Sequence, residues 1–454
     1  MTGRHLHLMG IGGVGMCGLA EALSAGGAIV SGCDLAASSR TEHVAKLGID
    51  VRLGHDASHL DSVDAVVYSA AVSDTEPELV AARERGLRTV RRAVMLGELM
   101  ADRRGVAVAG THGKTTTTAM IGHLLTEVGA DPTVLVGGRA RFAGSHVRVG
   151  SGDVFICEAD EYDRSFLELR PEVAVVTNIE PEHLDCYATA DDLGAAFATF
   201  CGQTPTDGRV ILCRDDAGAW ALADSVDRPV VGYGLSEAAD LRAVDVVSDA
   251  HGSRFTVLRN GEPVGRAVVA LPGRFNILNM LAALAAGLEL GAGFDELAEA
   301  GARFSGVARR FDVLGERSEI TVVDDYAHHP TEIEAVLEAA RQAFPGRRLV
   351  VVFQPHLFSR TRDFADGFAR ALLGAETAVV LPIYPAREQP IDGVDARLIV
   401  AAAERLGHPA VSVGPPVGDA PGYVDSLLAP GDVLVTLGAG DVHRVAEVWL
   451  RGAA

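Results

Sequence analysis

Three times along this chain a run of apolar residues ends in a glycine turn that leads straight into a helix. The stretches are "HLHLMGIGGVG" from His5, "GVAVAGTHGKT" from Gly105 and "DVLVTLGAGDVH" from Asp432. A strand that leaves through a helix and returns to the same sheet does so by a right-handed crossover, which lays successive strands parallel. The same alternation continues through "AIVSGCD", "VDAVVYSAA", "DVFICEA", "VAVVTNI", "RVILC", "TVVDDY", "RLVVVFQ" and "TAVVLPIY". Between Leu241 and Leu271 the pattern changes to "RFTVLRNGEPVGRAVVA", where Asn260-Gly261 predicts a hairpin turn in a small antiparallel annex. With 454 residues the chain is long enough for three domains.

The formal net charge of -21 excludes a protein that coats nucleic acid or an anionic membrane. Any phosphate it binds must be held locally. The apolar run Ile277 to Leu288 is too short to span a bilayer and predicts a buried helix. The six cysteines show no CxxC pair or zinc-ligand spacing, and the chain opens directly into a strand and a glycine loop. Both features predict a reduced, cytoplasmic protein with buried thiols.

In the first turn, Gly10, Gly12 and Gly15 fit G-x-G-x-x-G, with Gly13 between them and Asp34 closing the second strand. Glycines there let backbone N–H groups and a helix N-terminus approach a pyrophosphate. NAD, FAD and a UDP-sugar fit equally well. The second turn, Gly110-Thr111-His112-Gly113-Lys114-Thr115-Thr116, is a shortened phosphate loop: Val108 stands where the longer pattern has its first glycine. Lysine occurs only at Lys46 and Lys114, so the one in "GKT" is an exception to the chain's preference for arginine. Lys114 suits the β- and γ-phosphates of ATP, and the Thr115 hydroxyl suits Mg²⁺.

Two further stretches, "EADEYDRSF" and "TNIEPEHLD", follow strands and place Glu158 and His183 at carboxyl ends, where open α/β sheets bind ligands. A metal and triphosphate site and a solvated acidic loop are the alternatives. In the last block, "DDYAHHPTE" brings Asp325, Tyr326, His328 and His329, and "FQPHLFSRTRD" brings His356, Arg360 and Arg362, to strand ends. Histidines and arginines together suit an anionic group, and no metal-ligand spacing supports the rival reading.

Nine stretches in order and spacing make the chain resemble the Mur ligases over essentially its whole length: "HLMGIGGVGMCGLAE", "AGTHGKTTTTAM", "EADEYDRSFL", "TNIEPEHLDCY", "LPGRFNILNMLAAL", "GVARRFD", "DDYAHHPTE", "FQPHLFSRT" and "LGAGD". The resemblance implies an α/β protein of three domains. These are a Rossmann-like N-terminal domain for a UDP-sugar (1–104), a central P-loop ATPase-like domain with a mostly parallel sheet (105–310) and a C-terminal Rossmann-like domain for an amino acid (311–454). It implies small-molecule substrates, UDP-N-acetylmuramate, L-alanine and ATP, with Mg²⁺ as cofactor and a monomer or homodimer as the assembly. A relative that attaches a ready-made tripeptide to the same sugar is the alternative; the "GIGGVGM" form of the first loop favours the amino acid.

By the same resemblance Gly10, Gly12, Gly13, Gly15 and Ser69 would contact the UDP-sugar, and Gly110 to Thr116 would hold ATP. Thr115, Glu158 and His183 would bind the metal. Asn276 and Asn279 are candidates for facing adenine, Asn279 preferred, while Arg310 and Asp325 would close the C-terminal domain over ATP. Tyr326, His328 and Arg360 would form the amino-acid pocket. Two departures stand out: Leu357 occupies a position after "FQPH" where an arginine is common, and no lysine besides Lys46 and Lys114 exists to form a metal-bridging carbamate.

Overall fold

The computed structural model describes residues 2–181, 186–386 and 388–452. It contains three α/β domains, each built on its own sheet. The first sheet comprises β1 (His5–Met9), β2 (Ile29–Asp34), β3 (Asp50–Leu53), β4 (Ala65–Tyr68) and β5 (Arg88–Arg91), in the order β3-β2-β1-β4-β5. All its pairings are parallel. Four helices cross between or follow the strands: α1 (Val14–Ala25), α2 (Ser39–Lys46), α3 (Pro77–Glu84) and α4 (Arg92–Met100). One face of the sheet buries Leu6, Leu8, Leu19 and Leu23, and the other buries Met9, Val66, Tyr68 and Leu79. Burial on both faces is why these strands read as continuous apolar runs.

The second sheet takes β6 (Arg104–Ala109), β7 (Thr133–Ala140), β8 (Ser145–Arg148), β9 (Val154–Glu158), β10 (Val173–Val176), β11 (Arg209–Cys213) and β12 (Val230–Gly234). It continues into β13 (Leu241–Asp249), β14 (Gly252–Arg259) and β15 (Glu262–Val269), giving the order β15-β14-β13-β12-β11-β10-β6-β9-β7-β8. The expected hairpin turn is present: Asn260 and Gly261 both have positive φ, 52° and 85°, as a tight two-residue turn between twisted strands requires. Helix α5 (Lys114–Glu127) follows β6 directly. The apolar run expected to be a buried helix lies in helix Arg274–Glu289, and its residues Met280 through Ala286 are fully buried. No helix among the described residues is long and apolar enough to cross a membrane.

The third sheet holds β16 (Asp312–Arg317), β17 (Ile320–Asp325), β18 (Leu349–Phe353), β19 (Thr377–Val380), β20 (Val411–Val413) and β21 (Val433–Leu437), ordered β16-β17-β21-β18-β19-β20. Only its edge pair β16-β17 is antiparallel. By packing density the chain forms two compact units. One comprises residues 1–245, 255–268 and 278–305, and the other 246–254, 269–277 and 306–454.

Candidate active site

Strand order decides where the glycine loops sit. In the first sheet β1 lies between β2 and β4, with Met9 level with Cys33 on one side and Tyr68 on the other. The chain therefore leaves β1 into a crevice flanked by Asp34 and Ser69, where an open parallel sheet accepts ligands. Gly10 has φ 79°, and a side chain there would begin 3.2 Å from the Ser69 Cβ. The structure thus brings Ser69 to the loop. Asp34 turns inward and its carboxylate accepts the Gly12 N–H at 2.8 Å. A Cβ on Gly12 would lie 2.8 Å from both that carboxylate and the Thr41 methyl, and one on Gly15 would lie 2.9 Å from the Arg92 guanidinium. Gly13 caps α1 and donates its N–H to the Gly10 carbonyl at 3.0 Å.

The second loop repeats the plan. Strand β6 lies between β9 and β10, with Val108 level with Glu158 and Ala109 level with Val176. Gly110 has φ 132°, and a Cβ there would overlap the Thr177 hydroxyl at 2.0 Å; Gly113, with φ 82°, caps α5. The loop between them is braced from the end of β10. The Asn178 side chain accepts from the His112 N–H at 2.8 Å and donates to the His112 carbonyl at 3.0 Å, and the Thr177 hydroxyl donates to that carbonyl at 2.6 Å. The Thr111 N–H donates to the Asn178 carbonyl at 3.0 Å, and the Thr111 hydroxyl accepts the Glu180 N–H at 2.9 Å. Thr111 and His112 are thus held in place by groups some 65 positions away.

At the N-terminus of α5, the Lys114 ammonium donates to the Gly110 carbonyl at 2.5 Å and to both oxygens of Glu161, at 2.8 and 3.0 Å. Glu161 is 1% exposed, and its carbonyl accepts the Tyr187 hydroxyl at 2.6 Å. Glu161 lies in the acidic stretch after β9, three residues beyond Glu158, the carboxylate that the sequence points to at the strand end. The pairing depends on the turn after β9, for which no spacing rule exists. Thr115 donates its hydroxyl to the Glu158 carboxylate at 3.1 Å, and Glu158 also accepts the Gly137 N–H. Thr116 is buried on the first turn of α5. His183 lies outside the described residues.

Thr115 and Glu158 offer hard oxygen donors about as far apart as adjacent ligands on an octahedral Mg²⁺, whose Mg–O bonds are ~2.1 Å. The donor set fits that ion. Asn279 reaches the same loop from helix Arg274–Glu289: its side-chain oxygen accepts the Thr117 hydroxyl at 3.1 Å and lies 2.9 Å from where a Gly113 Cβ would be. Asn276, the other candidate, donates to the Pro272 carbonyl at 2.8 Å.

In the C-terminal domain, Tyr326, His328, His356 and Arg360 come together. The Tyr326 and His328 rings meet edge-on at 5.5 Å, His328 meets His356 at 6.0 Å, and an Arg360 nitrogen lies 3.5 Å from His356 Nδ1. Tyr384, which no local pattern marked, stacks on His356 at 5.8 Å. The guanidinium of Arg310 sits over the Tyr326 ring at 5.1 Å. Asp325 points into the protein, accepting the N–H groups of Phe311 and Ala327 at 2.6 and 2.7 Å. Burial pushes its carboxyl up to about 6, although the Arg310 charge opposes this. Leu357 takes φ 71° and ψ 139°, a conformation that costs a branched side chain ~1–3 kcal/mol and is found mainly where function holds it. Its carbonyl accepts both the N–H and the hydroxyl of Thr361.

Comparison with known proteins matches three family models in chain order: Mur ligase family, catalytic domain, over residues 5–104; Mur ligase middle domain over 108–287; and Mur ligase, glutamate ligase domain, over 309–440. The UDP-N-acetylmuramate--L-alanine ligase of Salinibacter ruber is 46% identical over 448 residues, spanning 98% of this chain and 94% of the relative. That of Desulfatibacillum aliphaticivorans is 44% identical over 98% of both chains. Among solved structures, a UDP-N-acetylmuramate-alanine ligase from Thermotoga maritima superposes with a TM-score of 0.83 at 29% identity, covering 99% of both chains. A murein peptide ligase from Psychrobacter arcticus gives 0.73 at 25% identity, covering 99% of this chain and 98% of the other.

Proposed function

Because the chain belongs to the Mur ligase family, we propose that it joins the amino group of L-alanine to the lactyl carboxylate of UDP-N-acetylmuramate, with ATP cleaved to ADP and phosphate. This reaction makes a precursor of peptidoglycan. The observation that carries the reading is the placement of an ammonium, Lys114, and a hydroxyl, Thr115, at the start of α5, each beside a carboxylate.

A carboxylate is a poor electrophile, because its charge is delocalised and its leaving group would be oxide. Attack of a lactyl oxygen on the γ-phosphorus forms the acyl–O–P bond and breaks the bond to ADP, giving an acyl phosphate. Lys114, released from Glu161 onto the phosphates, offsets the charge gathering on the transferred group, and the N–H groups at the start of α5 add to it. The neutral amine of L-alanine then attacks the acyl carbon. The tetrahedral adduct loses a proton and expels phosphate, leaving the amide.

Thr115 and Glu158, with His183 as a further candidate, would hold Mg²⁺, which when bound neutralises phosphate oxygens. The first glycine loop takes the UDP diphosphate, with Ser69 at its edge. Tyr326, His328 and Arg360 receive the amino acid, Arg360 meeting its carboxylate. Asn279 contributes to the nucleotide pocket. The TM-score of the alanine ligase structure, 0.83 against 0.73 for the murein peptide ligase, and the curated alanine ligases at 46% and 44% identity over nearly the whole chain favour L-alanine over a tripeptide.

The test is phosphate release from Mg-ATP and UDP-N-acetylmuramate with L-alanine, with tripeptide, or with neither acceptor. Release that depends on L-alanine is expected. Release with tripeptide alone would transfer the protein to the alternative reaction, and release with neither would refute the ligase reading.

A further inference from the structure

Beneath the first sheet, on the face that carries α3, five side chains converge without any role in the chemistry above. His7 on β1, Cys33 at the end of β2, Glu78 on α3, and His55 and His59 from the segment joining β3 to β4 surround one point. His7, Cys33 and Glu78 are at most 1% exposed. One Glu78 oxygen lies 3.0 Å from His7 Nε2 and 3.2 Å from His59 Nδ1; the other lies 3.3 Å from Cys33 Sγ and 3.4 Å from His55 Nδ1. One donor atom from each of His7, Cys33, His59 and Glu78 falls within 4.8 Å of all the others. A tetrahedral zinc ion, with bonds of ~2.0–2.3 Å, needs its donors ~3.3–3.8 Å apart.

Hydrogen bonds orient His7 towards the cluster. His5 Nδ1 faces the Ser62 carbonyl at 3.0 Å, which only accepts, so that nitrogen carries the proton. Ser31 Oγ lies 2.8 Å from His5 Nε2 and 2.9 Å from His7 Nδ1. With Nδ1 engaged by Ser31, His7 Nε2 is buried and faces a Glu78 oxygen at 3.0 Å. A cation shared between the two atoms, a proton or a metal ion, suits that distance. The Ser31 contact holds the His7 ring with Nε2 aimed at the cluster, as outer-shell partners of ligating histidines do.

The geometry points to a binding site for a thiophilic divalent transition metal of the Zn²⁺ class, held by His7, Cys33, His59 and Glu78 with His55 beside them. A thiolate and a carboxylate together neutralise the ion's two charges, and the imidazoles stay neutral, so the buried site carries no net charge. The His55 and His59 side chains are 7% and 8% exposed, the least deeply buried of the group. The site has a structural consequence: the Cys33 carbonyl accepts the N–H groups of Gly10 and Ile11 at 2.8 and 3.1 Å, and Asp34 next to it holds Gly12. An ion on Cys33 would tie the segment between β3 and β4 to the residue that anchors the first glycine loop.

The experiment is a Co²⁺ titration of the full-length, chelator-treated protein, with folding checked by circular dichroism. We expect about one equivalent to bind with a thiolate-to-cobalt charge-transfer band and the strong visible bands of a tetrahedral ion. Zn²⁺ should displace it and raise the melting temperature, and Mg²⁺ should do neither. Cys33→Ser should abolish the charge-transfer band, and His59→Gln should weaken binding by ~10–100-fold. Folded protein that shows no thiolate band overturns the proposal, as does a Cys33→Ser variant whose spectrum is unchanged. Should either variant fail to fold, the wild-type titration and the zinc content of protein gel-filtered after zinc loading still decide: about one equivalent retained supports the site, and none overturns it.

Discussion

At Gly10 and again at Gly110 a parallel strand ends in a glycine of positive φ and hands the chain to a helix, yet different groups brace the two loops. The first loop gives up one of its N–H groups, that of Gly12, to the Asp34 carboxylate, and its nearby cations are arginines such as Arg92. The second is braced by neutral hydroxyl and amide groups from Thr177 and Asn178, and its cation, Lys114, is paired with Glu161 while it also donates to the loop carbonyl of Gly110. A diphosphate that is only held needs shape and a helix N-terminus. A phosphoryl group in transfer needs a mobile positive charge besides, because its charge distribution changes along the reaction. On the proposed function, the same local fold serves retention in one place and chemistry in the other.

The comparison is broken most severely at Lys114. Lys114→Met should lower the rate of L-alanine-dependent phosphate release by at least ~10³-fold while leaving UDP-N-acetylmuramate affinity within about twofold, read by calorimetry. Equal loss of both would mean that the loops are not separate sites. Next comes Gly110→Ala, which puts a methyl onto the Thr177 hydroxyl at a backbone conformation L residues avoid. It should cost ~2–4 kcal/mol of stability by denaturant unfolding and abolish ATP use.

A third strand-end carboxylate, Asp325, sharpens the contrast, because it too braces backbone N–H groups but in full burial. Its pKa, about 6 in the folded protein, exceeds the ordinary 3.8, so the folded state keeps a proton that the unfolded chain has lost. The stability it contributes is complete below about pH 3.8 and disappears as pH rises through about 6. The stability of wild type relative to Asp325→Asn should therefore fall by about 3 kcal/mol across that window, measured by urea unfolding at several pH values. A difference that does not change with pH would contradict the burial argument. The mildest change is Gly12→Ala, at a φ that any residue accepts. Displacing Asp34 should weaken UDP-sugar binding about tenfold, or ~1.4 kcal/mol, with ATP affinity unaltered.

The parts of the site carried by a single stretch of chain were legible before any coordinates. The strand-glycine-helix turns, Lys114 beside Thr115, and the Asn260-Gly261 hairpin follow from backbone preferences that act over a few residues. Asp34 could be placed at a strand end, but whether it faced a ligand or its own loop depended on how β2 lies against β1. The Glu161 partner of Lys114 was in view within "EADEYDRSF", yet Glu158 was the one singled out. Strand register puts Glu158 level with Val108, and only the turn beyond it swings Glu161 under the lysine.

By itself, then, the sequence determined the α/β class, the parallel sheets and the positions of both glycine loops, because period, glycine and helix start are local properties. Tertiary structure decided which distant groups complete them: Asn279 meeting Thr117, Tyr384 stacking on His356, and Glu78 meeting His7 and Cys33. Such pairings arise from strand order and helix packing across tens to hundreds of residues. No spacing along the chain encodes them, since only the folded sheet brings their strand ends and helix faces to the same place.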